Sequence, residues 1–301
     1  MVNLYTHQAS NVRKTWLLMA VFLVLVIFLG FIFSVYFQSS EILYFAIGFS
    51  LLMNLIAFWN SDKIALSLAG AKPITREQNS YLWNMVENLC ITAGLPMPRV
   101  YIIPSEQINA FATGRNPKNA AVAVTTGAIE RLENEELEGV LAHELAHIGN
   151  RDILVATVVV VLAGIISMLA DWFLRAQWFG GDDNHKGNAV VLVIGIAAAI
   201  LAPIAAMLIQ LAISRKREFL ADATGALLTR YPDGLANALE KIGHDHASMS
   251  QAKTATAHLY ISNPFRGQRG ASWIAKLFST HPPVEERIRI LRGMPAQGRP
   301  A

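Results

Sequence analysis

Polar and apolar positions divide the chain into alternating blocks. Four apolar runs, at about residues 15–37, 42–59, 153–173 and 189–213, interrupt stretches of mixed polarity. A helix of roughly 20 apolar residues crosses the hydrocarbon core of a bilayer. The first run holds no charge. The third carries Asp171 near its end. The fourth carries Pro203 and Gln210, which a span tolerates when neighbouring helices satisfy the freed polar groups. The pattern predicts four transmembrane helices arranged as two hairpins. A competing reading makes the third and fourth runs a hairpin buried in a soluble core, but the polar segments are too small to enclose it.

The polar blocks show shorter periods. A helix over 75–93, opened by Thr75 as its cap, is broken by Gly94, Pro96 and Pro98. Residues 100–103 read as a strand. Two more strands, 108–112 and 120–125, flank a turn containing Gly114, Asn116, Pro117 and Asn119. Residues 134–150 have helical spacing and are expected to run on into the third span. Further helices are expected around 217–228 and 284–292. The fold class that follows is mainly α, in the α+β sense: four transmembrane helices plus a polar domain with a small β-sheet.

Charge sets an orientation. Arg13 and Lys14 precede the first run, as they would in a signal peptide. The run is too long for that, however, and no A-x-A-like site follows, so an uncleaved anchor is expected. Lys63, Lys72 and Arg76 follow the second run, Arg151 precedes the third, and Arg215, Lys216 and Arg217 follow the fourth. The link at 38–41 carries no basic residue. The excess of Lys and Arg puts both termini and both polar segments in the cytoplasm. Trp16, Trp59 and Trp172 sit at span ends, where tryptophan anchors an interface.

Composition agrees with residence in a lipid bilayer: 53% of residues are hydrophobic and only 16% charged, against about a quarter charged in soluble domains. The net charge of +3 comes with no basic block interleaved with aromatics, so nucleic acid is not an expected partner. Cys90 is the single cysteine, which rules out an internal disulfide and a thiolate metal cage and suits a reducing compartment.

The chemistry concentrates in His143-Glu144-Leu145-Ala146-His147. Residues four apart share a helix face, so both imidazoles can point at one ion with Glu144 beside it. A third ligand is available in Glu218. Asp222, one turn further, can accept a hydrogen bond from a ligand histidine and fix its tautomer. The alternative is that Glu218 and Asp222 pair with Arg215 or Lys216 on a solvated face. Two imidazoles and a carboxylate suit one Zn2+ per chain. A metzincin-type site is excluded, because Asn150 and Ile153 stand where Gly and His are required. An intramembrane site is disfavoured by Glu133, Glu135, Glu136 and Glu138 before the motif and Arg151 and Asp152 after it.

This constellation predicts a zinc endopeptidase. Glu144 serves as the base that takes a proton from water and returns it to the leaving amine, and His281 is the candidate donor to the tetrahedral oxyanion. His281 equally reads as a helix-start residue fixed by Pro282 and Pro283. The stretch 109–112 is either an edge strand that pairs with substrate backbone or an ordinary strand with Phe111 in the core. His244 and His246 read as loop residues, and His7, His185 and His258 as surface residues.

Asn109-Ala110-Phe111-Ala112, the His143 to His147 motif, Glu218 with Asp222, and Thr280-His281-Pro282-Pro283 followed by Glu286-Arg287-Ile288 carry a resemblance. On these pieces and the two-plus-two apolar runs, the chain resembles the HtpX family of bacterial membrane heat-shock zinc proteases. It is similar, more distantly, to eukaryotic CAAX prenyl endopeptidases. The resemblance implies a gluzincin-type catalytic domain on the cytoplasmic face of the bacterial inner membrane. It also implies protein substrates, above all damaged or misfolded membrane proteins. The domain division expected is a transmembrane hairpin at 1–60, a first catalytic part at 61–152, a second hairpin at 153–213 and a second catalytic part at 214–301. Two other functions compete: a protease specialised for lipidated C-termini, which needs a larger intramembrane chamber, and a non-catalytic zinc scaffold or sensor, which has no use for Glu144.

Overall fold

The computed structural model describes residues 4–179, 215–247, 249, 253, 256–265 and 282–294. Helices α1 (Leu4–Phe37) and α2 (Ser40–Leu68) form an antiparallel pair, turned at Gln38, whose φ of 52° lies in the left-handed region. Leu18, Phe22, Val26 and Leu29 are buried along one face of α1 at helical spacing. The opposite faces of the pair expose Leu17, Val24, Phe28, Val35, Tyr44, Phe45, Leu51 and Leu55. An apolar surface of that extent is stable in lipid rather than in water. Among the described residues, Ala9–Phe37 and Ser40–Leu68 are each long and apolar enough to cross a membrane. These two clear spans make the chain a multi-pass membrane protein. The 34 residues of α1 extend roughly 51 Å, against about 30 Å of hydrocarbon, so α1 reaches well past the lipid.

The third run corresponds to α6 (Asp152–Phe179), and the fourth lies outside the described residues. The helix carrying the His-Glu motif, α5 (Asn134–Gly149), does not run on into α6. The two meet at 85°, because Asn150 caps α5 and Arg151 takes a left-handed φ of 58°. Asn79 corrects the expected start of the 75–93 helix. Its side chain accepts a hydrogen bond from the Leu82 N–H, so α3 spans Ser80–Ala93 and Thr75 lies in the preceding turn.

The sheet has strand order β1-β2-β4-β3, built from β1 (Lys72–Pro73), β2 (Arg99–Ile103), β3 (Ala110–Gly114) and β4 (Ala120–Thr125). β2 and β4 run parallel, and the other pairs are antiparallel. Period-two alternation sorts the strand residues onto two faces. Val122 and Val124 join Leu82, Leu137, Leu141 and Leu145 in the core beneath α3 and α5. Ala121, Ala123, Ile103 and Phe111 join Ala65 and Leu66 of α2 and Val160 of α6. The sheet is therefore a layer between the polar helices on one side and the end of the α2 span with α6 on the other. A short helix α4 (Thr126–Arg131) follows β4. The second polar segment adds α7 (Arg215–Thr229), α8 (Pro232–His244) and α9 (Val284–Arg292), with α7 and α8 against α5. Among the described residues the structure is mainly helical with one small mixed sheet.

Candidate metal centre

α5 forms where the sequence favours it. Glu133 and Glu136 make a reciprocal capping box at its start, and Leu137, Leu141 and Leu145 are fully buried on its core face. His143, Glu144 and Glu218 are also buried, and the His147 side chain is 15% exposed. α7 crosses α5 closely because Gly225 faces it: a Cβ there would sit 3.0 Å from the His143 nitrogen and 3.2 Å from the Ala142 carbonyl carbon. That close approach brings Glu218, two turns earlier on α7, onto the two imidazoles.

His143, His147 and Glu218 converge as a group able to hold a metal ion. The Nε2 atoms of the two histidines are 3.2 Å apart. His147 Nε2 lies 3.5 Å from Glu218 Oε1, and His143 Nε2 lies 3.8 Å from Glu218 Oε2. Ligands about 2.0–2.2 Å from a tetrahedral ion are separated by roughly 3.3–3.6 Å, the edge of that tetrahedron. The observed separations, 3.2 to 3.8 Å with the carboxylate approached through either oxygen, bracket that edge.

The far ring nitrogens explain why these donors face one another. His143 Nδ1 is 3.0 Å from Asp222 Oδ1, and His147 Nδ1 is 3.0 Å from Asp152 Oδ2. Each carboxylate holds the Nδ1 proton and so leaves Nε2 with a lone pair. Two such lone pairs at 3.2 Å beside a carboxylate repel unless a proton or a metal ion lies between them. Proton affinity shows the same bias. Burial lowers the His147 pKa, but the Asp152 hydrogen bond and the charges of Glu218, Asp152 and Glu144 lift it to about 9.

Asp222 is held in turn by Arg287 of α9. That arginine is fully buried and makes a bidentate pair, Nε to Oδ2 at 2.8 Å and Nη2 to Oδ1 at 2.6 Å. Burial opposes ionisation of Asp222, yet the Arg287 charge and the His143 and Arg287 hydrogen bonds bring its pKa down to about 2.

Sequence reasoning anticipates Asp222 but misses Asp152, which it takes only as a charge following the His-Glu motif. Asp152 lies beyond a helix break, where face periodicity gives no signal. His281 lies outside the described residues, next to the buried Pro282. Phe111 is in the core, edge-on to Tyr260 with ring centroids 5.0 Å apart. The neighbouring strand edge is engaged by the chain itself. The Ile261 N–H donates to the Ala110 carbonyl, the Asn109 carboxamide donates to the Ser262 carbonyl, and the Ser262 N–H donates back to Asn109 Oδ1. His258, expected at the surface, is buried, because the turn Ala257–Leu259 tucks against α6 and brings His258 Nε2 3.2 Å from the Ala156 carbonyl oxygen.

A family model and curated relatives both match this chain. The family model described as "Peptidase family M48" matches residues 76–295. A "Protease HtpX homolog" of Caldanaerobacter subterraneus subsp. tengcongensis is 47% identical over 299 residues, covering 97% of this chain and 98% of that protein. A protein of the same description from Thermoanaerobacter pseudethanolicus is 48% identical with the same coverage. Among solved structures, the crystal structure of S. mikatae Ste24p aligns at 16% identity with a TM-score of 0.49, covering 92% of this chain and 66% of that one.

Proposed function

This chain belongs to peptidase family M48, and on that premise we propose that His143, His147 and Glu218 hold one Zn2+ per chain while Glu144 acts as the catalytic base. The protein is a membrane metallopeptidase that hydrolyses peptide bonds. The observation that carries the ligand assignment is the convergence of the two Nε2 atoms, 3.2 Å apart, on the Glu218 carboxylate, whose Oε1 lies 3.5 Å from His147 Nε2 and whose Oε2 lies 3.8 Å from His143 Nε2. When bound, the ion polarises the scissile carbonyl and acidifies the attacking water. Glu144, one residue from His143 and buried on the same helix, takes the proton and delivers it to the leaving amine. Asp222 and Asp152 keep the imidazoles in the tautomer that leaves Nε2 free. His281 is the proposed oxyanion donor, supported by its place just before Pro282 and the α9 segment that carries Arg287 to the site.

The reading extends to four spans, a catalytic part and both termini in the cytoplasm, and the division at residues 60, 152 and 213. The positions of the basic residues support the orientation. Location in a bacterial inner membrane and damaged membrane proteins as substrates are what the resemblance to the HtpX family implies. Two substitutions test the assignment. Glu144→Gln should retain stoichiometric zinc while cleavage of an unfolded model substrate falls by several orders of magnitude, as expected when a general base and its electrostatic contribution are lost together. Glu218→Ala should lose zinc. Undiminished cleavage by the first variant would remove Glu144 from the mechanism, and full zinc occupancy in the second would remove Glu218 from the ligand set.

A further inference from the structure

The amino-terminal membrane helix takes part in the metal centre. Asn11, in the third turn of α1, is buried. Its Nδ2 donates to Asp152 Oδ1 at 2.7 Å and to the Asn150 carbonyl at 3.3 Å. The other oxygen of the same carboxylate, Oδ2, meets His147 Nδ1 at 3.0 Å. Arg217, next to Glu218 on α7, completes the cluster, with Nη1 3.5 Å from Asn11 Oδ1 and 3.6 Å from Asp152 Oδ1. One side chain from α1 thus ties together the bend between α5 and α6, the carboxylate that orients His147, and the helix that supplies Glu218. The sequence separation is 139 residues to Asn150 and 206 to Arg217, so no local requirement places Asn11 there.

We propose that Asn11 is a positioning residue for the metal centre: it fixes the rotation of the Asp152 carboxylate, and through it the His147 imidazole. The inference rests on the ligand assignment above. A carboxylate free to rotate can turn Oδ2 away from Nδ1, and the imidazole then loses both its tautomer and its orientation. Loss of such an outer hydrogen-bond partner costs about 10- to 100-fold in metal affinity. A mere anchoring role for α1 would change thermal stability and leave metal affinity alone. Asn11→Asp separates the two roles, since it keeps the size and shape of the side chain but replaces the donor with a charge facing Asp152.

The test is zinc affinity of the full-length protein in detergent, measured by competition with a chromophoric chelator, together with the visible spectrum of the Co2+-substituted protein. Asn11→Ala and Asn11→Asp should each weaken zinc binding about 10-fold or more and alter the Co2+ spectrum. In an Asp152→Ala background, Asn11→Ala should add nothing further, because its effect passes through that carboxylate. Wild-type affinity in Asn11→Asp, or effects of Asn11→Ala and Asp152→Ala that simply add, would overturn the proposal. Should Asn11→Ala fail to fold, Asn11→Asp and the Asp152→Ala comparison built on it decide in the same way. An unsubstituted protein that binds no zinc would instead overturn the ligand assignment.

Discussion

At the scale of single residues, the site is a set of charges that are tolerable only in one another's company. Arg287 is fully buried, and its partner Asp222 is 1% exposed. Removing one member of a buried ion pair leaves an uncompensated charge and costs about 3–5 kcal/mol. Asp222→Asn should therefore lower the unfolding free energy by about that amount. It should also weaken zinc binding, since an amide holds the His143 proton less firmly than a carboxylate. Thermal denaturation with and without zinc checks both effects, and an unchanged melting temperature would show that Arg287 finds another counter-charge. The sign for pH is fixed by the lowered pKa of about 2. The stabilisation from ionised Asp222 is complete above the unfolded value near 3.8 and fades as pH falls towards 2.

Helices turn these residues into a site by close approach. α5 can be read in the sequence because leucines recur on one face and a capping box opens it. α7 can be read as a helix, but not as the neighbour of α5. Gly225 makes that contact possible, and an isolated glycine in a helical pattern gives no hint of what it faces. Gly225→Ala would push a Cβ to 3.0 Å from backbone of α5, where no flexible side chain can yield. Overpacking of this kind costs about 1–3 kcal/mol. Widening the α5–α7 gap should also spread the donor atoms, so zinc affinity should fall along with the melting temperature. A variant with reduced stability and wild-type zinc affinity would show that the helices separate elsewhere than at the ligands. The break between α5 and α6 was illegible for a related reason. The sequence around Asn150, Arg151 and Asp152 contains no proline or glycine after Gly149, and the left-handed residue is an arginine. The turn that Asn150 and Arg151 make brings Asp152 beside His147 and Asn11.

Across the whole molecule, the membrane helices and the polar elements form one structure. The sheet packs with Phe111 and Ala123 against α2 and α6, and with Val122 and Val124 against α5, so the polar layer rests directly on the end of the α2 span and on α6. The apolar runs and the His-Glu motif disclosed the two spans, the motif helix and the ligands proposed here, because each leaves a local pattern. Contacts made across more than 100 residues left none: Asp152 to Asn11, and the loop at 260–262 on the edge of β3. The central claim, that two distant parts of the chain share one divalent ion, is tested most directly by zinc K-edge X-ray absorption on the purified full-length protein. One zinc per chain, with two imidazole nitrogens and carboxylate or water oxygens at about 2.0–2.2 Å and no sulfur near 2.3 Å, is the predicted result. A sulfur shell, fewer than two imidazoles, or a protein that holds no zinc would contradict it.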